Sequence, residues 1–280
     1  MNNREKDDLS VLKYTWYKKA EYKINIKSYL TLGGGKANQT EIEEDWTVLP
    51  GEYNHITINS SLQRYIKSDK QMRPYYEILE KINKATDVLE LFLNTDKSVL
   101  EITNKKEILN KWDEIKKDLR FFELIKNNFE VFINIYNNEF NKIDQNIKLN
   151  FLYQIMFYPL PVFRGGSYID EIPVRTTLST LFPGEKLRYK SQHKITRNDK
   201  GEYLVKLEGR GENGQSQFKN VYKDKYQKIL GSSLDYNYFI EGEYIYNEDS
   251  ILSEIMFHVK EELNEKMFYV CRYHIKLNKQ

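Results

Sequence analysis

From residue 174 to residue 277 the chain repeats one arrangement, short runs of alternating apolar and polar residues separated by turn-forming clusters. Alternation with a period of two puts one set of side chains on a packed face and the other in water, as a strand does and a helix does not. Leu187, Tyr189 and Ile195 lead into Asn198-Asp199-Lys200-Gly201. Tyr203, Val205 and Leu207 lead into a glycine-rich turn over 209–214, and Tyr236, Tyr238, Ile240, Tyr244 and Tyr246 into Asn247-Glu248-Asp249-Ser250. Ile251, Ile255, Phe257 and Val259 follow, and after a hairpin near Asn264 the chain returns through Met267, Tyr269, Cys271, Tyr273, Ile275 and Leu277. The pattern predicts an antiparallel meander with one packed face and one wet face.

The rest of the chain frames that meander. Residues 1–10 read as a loose tail, and 11–32 as strand, with Tyr14, Trp16, Tyr22, Ile24 and Ile26 alternating up to Gly33-Gly34-Gly35. Residues 36–45 are polar and acidic and read as a surface loop; Pro50-Gly51 marks a turn, and alternation resumes over 53–66. Pro74 opens a helix to about Lys84. A hairpin over 87–103 turns at Asn94-Thr95-Asp96-Lys97, with Val88, Leu91, Leu93, Val99 and Ile102 facing inward. Asn104 is placed as an N-cap with Glu107 three residues on, and helical spacing then runs to Phe157 in two or three helices. Pro159 and Pro161 end that block. The expected fold class is α+β, a curved antiparallel meander packed against a helical insertion. The N-terminal strands complete the same sheet, so residues 1–280 form one discontinuous domain: 1–103, the insertion 104–157, and the meander 168–280.

Composition narrows the function. Tyr is unusually frequent, with 22 residues beside 14 Phe and 3 Trp, which suits half-buried sheet surfaces. Lys+Arg 43 against Asp+Glu 41 leaves a formal charge of +2 with interleaved signs, so a phosphate-neutralising surface is not expected. A single cysteine, Cys271, excludes an internal disulfide and a cysteine zinc cluster. The polar start of the sequence lacks a signal's apolar core, and no apolar run has the length of a membrane span. A soluble cytoplasmic protein is expected, or a periplasmic one if a native leader has been removed.

No segment carries a complete catalytic motif. Gly33-Gly34-Gly35-Lys36 lacks the upstream glycine and following hydroxyl of a phosphate loop, since position 30 is Leu and position 37 is Ala. No G-x-S-x-G elbow is present, and Cys271 reads as a buried, inert thiol. The acidic group Glu41, Glu43, Glu44 and Asp45 lacks the ligand spacing of a calcium loop and reads as solvated. His258 and His274 lie on consecutive predicted strands near Glu254 and Arg272, where a suitable register brings two histidines and a carboxylate together as in a metal-assisted hydrolase. The segment Pro159 to Tyr168 combines rigid backbone, aromatics and glycines, with Arg164 and Arg175 about it as planar cations suited to a bidentate acceptor. Phe163, Arg164 and Arg175, with Tyr236, Tyr238 and Tyr244 of the meander, are the candidate binding residues.

The Tyr/Trp-rich first strand, the helical insertion, the P-x-P-x-F-x-G-G-S-Y junction and the meander containing Gly242-Glu243-Tyr244-Ile245-Tyr246-Asn247 together resemble uncharacterised bacterial proteins with a curved, lipoprotein-carrier-like antiparallel sheet. The resemblance implies a half-open sheet wrapped around helices and holding an apolar ligand. The sequence departs from those proteins in having no leader and no lipobox cysteine, and no functional residue carries over. The expected function is a non-enzymatic binding module, without cofactor, that presents a Tyr-rich face to a partner protein or an apolar small molecule. The hydrolase using His258 and His274 is the alternative, with nucleic-acid binding by a Lys/Tyr face behind it.

Overall fold

The computed structural model describes residues 18–35, 38–61, 63–67, 70–159, 163–164, 167–168, 174–212, 215–249 and 251–279. The first strand expected over 11–32 is seen as β1 (Ala20–Thr31); its expected beginning lies outside the described residues. It is followed by β2 (Asn38–Pro50), β3 (His55–Ser60) and β4 (Arg64–Lys67), then helix α1 (Arg73–Asn83) and the hairpin β5 (Val88–Leu93) and β6 (Val99–Ile102). Helices α2 (Lys105–Leu119), α3 (Glu123–Lys126), α4 (Phe129–Asn141), α5 (Ile143–Leu149) and α6 (Phe151–Met156) form the insertion. Beyond it come β7 (Phe163–Arg164), β8 (Ser167–Tyr168), β9 (Arg175–Leu178), β10 (Lys186–Arg197) and β11 (Tyr203–Gly211). Helices α7 (Gln215–Lys225) and α8 (Gln227–Leu230) precede β12 (Asn237–Tyr246), β13 (Leu252–Asn264) and β14 (Met267–Lys279).

Apart from the β7–β8 pair, the strands form one antiparallel curved sheet in the order β6-β5-β3-β2-β1-β14-β13-β12-β11-β10-β9, with β4 also on β2. The α+β class and the meander are as the alternation predicts. The triglycine is a hairpin turn between β1 and β2, with Gly33 and Gly34 at φ 68° and 73°, a backbone open to glycine.

The two faces of the sheet differ sharply. Outward positions carry cross-strand charge pairs, including Lys27–Glu41 at 2.9 Å, Arg64–Asp45 at 3.2 Å and Lys23–Glu43 at 3.6 Å. This explains the interleaved signs of the sequence: each exposed pair adds little stability but keeps neighbouring strands electrically matched. Inward positions are mostly apolar and are covered by helices. One cross-strand row reads Ile24, Ile275, Ile255, Tyr244, Val205, every member buried. The short helix α6 sits on this face. Its Phe151 ring meets Phe257 at 5.5 Å and Tyr273 at 5.9 Å, and the Ile155 carbonyl accepts from the Tyr244 hydroxyl at 3.2 Å.

Five expectations need correction. Residues 38–45 belong to strand β2, not to a loop: Glu41, Glu43 and Asp45 face outward, while Glu44 and Trp46 face in. The insertion contains five helical segments rather than two or three. Asn104 does not cap α2 through its side chain; its amide instead accepts from Glu90 N at 3.0 Å and donates to the Val88 carbonyl at 3.1 Å, fastening the helix start to β5. The stretch 215–230, read within a run of strands, is helical, with Phe218 stacked on Phe182 at 4.6 Å and Tyr226 donating to the Leu181 carbonyl at 2.6 Å. In the β5 hairpin, Leu89 rather than Val88 shares the buried face with Leu91 and Leu93. Among the described residues no helix is long and apolar enough to cross a membrane.

Candidate functional site

A cavity of about 510 Å³ opens between the inner face of β2 and β3, residues 82–87, and helices α4, α5 and α6. Helical spacing brings Phe140, Ile143 and Ile147 to one wall; Trp46 and Tyr153 form the floor, with ring centroids 5.0 Å apart. The size falls within the range of small-molecule sites.

The polar side of the cavity is built around Glu44. Alternation along β2 puts this carboxylate on the inner face, paired across the strands with Ile24 at the head of the apolar row described above. It is 7 % exposed. Its Oε1 accepts from Trp46 Nε1 at 2.7 Å and its Oε2 from Gln63 Nε2 at 3.3 Å, with the Ser60 hydroxyl alongside. Gln63 Oε1 in turn accepts from Asn83 Nδ2 at 2.7 Å. This chain orients its donors toward the carboxylate and supports its charge. No Lys, Arg or His among the described residues forms an ion pair with it. Burial raises the Glu44 pKa against the lowering effect of these hydrogen bonds. Tyr153, 8 % exposed, lines the same cavity, and its hydroxyl has no hydrogen-bond partner among the described residues.

Because the folded pKa of Glu44 lies above its unfolded value, its stabilising effect is complete below the ordinary carboxylate range and is lost as pH rises through the raised value. Glu44→Gln removes the buried charge, and Gln63 and Asn83 can turn their amides over together to meet the new donor. The substitution is expected to raise stability at neutral pH by about 1 kcal/mol, or about 2–4 °C in Tm. The gain should vanish in acid, where the native side chain is neutral. Thermal unfolding across pH checks this, and a lower Tm for the variant at neutral pH would contradict it.

The residues singled out in the sequence fall elsewhere. Tyr236, Tyr238 and Tyr244 are buried rather than half-exposed: the helices and the loop after β9 occupy their face. Tyr236 donates to Glu261 Oε1 at 3.2 Å, Tyr238 packs on Tyr189 at 5.9 Å, and Tyr244 bonds α6. Arg175 lies over the Tyr158 ring at 4.4 Å beside a separate cavity of about 170 Å³, and its buried Nε has no hydrogen-bond partner among the described residues. The two cavities share Ile147 and Tyr153. The side chains of Phe163 and Arg164 lie outside the described residues.

His258 and His274 lie on the same outward face, since His258 pairs with Arg272 and His274 with Met256. His274 Nε2 meets Glu254 Oε1 at 2.6 Å, as the sequence suggested for that carboxylate. Burial and the neighbouring Arg272 charge lower the His258 pKa. Among the described residues no three His, Cys, Asp or Glu side chains group closely enough to hold a metal ion, so the hydrolase reading lacks a ligand set. Cys271 is buried, and burial pushes its thiol pKa up.

The cavity was missed in the sequence because residues 36–45 look like one solvated acidic run. The legible signal was parity: Ile42, Glu44, Trp46 and Val48 share one side of a strand, and a carboxylate in that series breaks the pattern.

No protein-family model matches the sequence, and no curated protein does. Among solved structures, lipovitellin, described for its lipid–protein interactions, aligns with 93% of this chain at 7% identity and a TM-score of 0.48. The chain spans 25% of lipovitellin's length. A provisionally named outer membrane lipoprotein-sorting protein domain from Vibrio parahaemolyticus aligns over 99% of this chain and 89% of its own, at 7% identity and a TM-score of 0.16. At these scores neither likeness identifies a ligand.

Proposed function

We propose that this protein is a non-enzymatic binding module that holds a small amphipathic molecule in the cavity beneath β2 and β3. The observation that carries this reading is a cavity of about 510 Å³ between sheet and helices, with an apolar wall of Phe140, Ile143 and Ile147 facing the polar group of Glu44, Ser60 and Gln63. A core formed only to be stable closes such a space, because packed interiors leave few voids larger than a water molecule. The apolar wall accepts the body of the ligand by excluding water, and the polar group fixes its head. In this reading the tyrosines of the meander do not touch the ligand. Tyr244 positions α6, and through it Tyr153, at the floor.

Nile red, a neutral dye that brightens in apolar surroundings, tests the proposal. Added to the full chain it should brighten and quench Trp46. Ser60→Phe, which projects a ring into the cavity, should weaken binding by about tenfold or more, or about 1.4 kcal/mol. Met256→Ala, on the charged outer face, should leave binding unchanged. Unaltered dye affinity in Ser60→Phe would place the dye elsewhere and defeat the proposal.

A further inference from the structure

We propose that the ligand's head is a protonated amine, with Glu44 as its counter-ion and the Tyr153 hydroxyl as a second acceptor. This rests on the cavity being a ligand site. The first argument is the position of Glu44, a carboxylate heading a cross-strand row that is otherwise Ile24, Ile275, Ile255, Tyr244 and Val205. The second is its incomplete satisfaction, which a comparison within the same sheet makes clear. Glu261, the other carboxylate buried on this face among the described residues, accepts from the Ser179 and Tyr236 hydroxyls and from the Thr180 and Leu181 amides. Those donors leave it 1 % exposed, and it lines neither of the two cavities. Glu44 has the indole, the Gln63 amide and the neighbouring Ser60 hydroxyl, no cation, and an open side toward the cavity. A carboxylate has about four acceptor sites, so at least one remains.

The third argument is Tyr153. Among the described residues its hydroxyl has no partner, although the residue is more than nine-tenths buried, and its oxygen stands within the electrostatic reach of Glu44. An ammonium group with several N–H donors satisfies both oxygens at once; a carboxylate or phosphate head would meet Glu44 as a like charge. The aromatic faces of Trp46, Tyr136 and Phe140 add attraction for a cation. The charges lining the cavity are mixed, with an acidic excess. Residues 82–87 contribute Lys84 and Asp87, and α4 contributes Glu139, so with Glu44 three acids face one base. Lys111 pairs Asp87 from outside the lining.

The test is calorimetric titration of the full chain with octylammonium, octanol and octanoate, which share a tail and differ in head charge. Octylammonium is expected to bind at least about tenfold more tightly than octanol, with octanoate weakest. Glu44→Gln should abolish the preference, so that octylammonium and octanol bind the variant about equally, and Tyr153→Phe should weaken octylammonium about threefold. Acidification through the Glu44 titration should also weaken octylammonium and spare octanol. If octanol or octanoate binds the native protein as tightly as octylammonium, or if Glu44→Gln keeps the preference, the amine assignment is overturned while the cavity remains a ligand site. If none of the three binds and Nile red does not either, the binding-module reading falls and takes this inference with it.

Discussion

Glu261→Ala is expected to lower stability by about 3–5 kcal/mol, or roughly 10 °C in Tm for a chain of this size. The carboxylate is 1 % exposed and holds the chain after β9 against β13. Thr180 N donates to it at 2.8 Å and Leu181 N at 3.3 Å, and the Ser179 and Tyr236 hydroxyls complete the set. Truncation leaves the Leu181 amide and two hydroxyls without this acceptor in the interior, and the Thr180 amide without it nearer the surface, with a desolvation cost for each buried donor. It also frees the segment that places Leu181 and Phe182 in the core, where Phe182 stacks on Phe218. Glu261→Gln keeps the volume and should cost less. Burial raises the Glu261 pKa, so the native form is favoured most below the ordinary carboxylate range and loses that advantage as pH rises through the raised value. The gap between native protein and Glu261→Gln should therefore narrow with rising pH. Thermal unfolding of both variants across pH decides it; an alanine variant as stable as the native chain would refute the anchoring role.

Gly242→Val should cost about 3 kcal/mol, at the upper end for overpacking. Gly242 lies directly opposite Phe257 on the neighbouring strand. A Cβ added there would stand 2.4 and 2.5 Å from two carbons of the Phe257 ring. The ring cannot move aside easily, since Phe151 meets it at 5.5 Å and Tyr244 at 6.2 Å, both near edge-on. The missing side chain of Gly242 is the slot in which Phe257 lies. Urea unfolding measures the loss, and adding Phe257→Ala to Gly242→Val should return part of it, because the two sites share one volume. Fully additive losses would show that the slot is not the cause.

The meander was legible because its inner face is almost uninterrupted: Tyr238, Ile240, Tyr244 and Tyr246 on β12, and Ile255, Phe257 and Val259 on β13, all point one way. The strand β2 was not, because its outward face supplies one half of a charge ladder and its inner face includes Glu44. Helix α7 was hidden for a related reason. Phe218, Tyr222 and Tyr226 recur every fourth residue, but the glycines just before them suggested a turn between strands. The insertion was read as fewer, longer helices because apolar spacing persists through the breaks at 127–128 and at Asn150, where the asparagine caps α6 by accepting from Leu152 N at 2.9 Å. How far the tyrosines would be covered was beyond any local pattern. Alternation says which side of a strand is packed, not what packs against it.

The adjacency of β1 and β14 in mid-sheet has a kinetic consequence. On one side of that seam the strands run β1 to β6 and on the other β14 back to β9, so each flank is assembled from partners close in sequence. The seam alone joins residues as far apart as Glu21 and Lys279. Closing a loop of that length carries a large entropic cost that its contacts repay only once both flanks are formed. Each flank thus folds with an open edge at the position that later becomes the centre of the sheet. Until the seam closes, those two edges are the surfaces on which one chain can mistake another for itself.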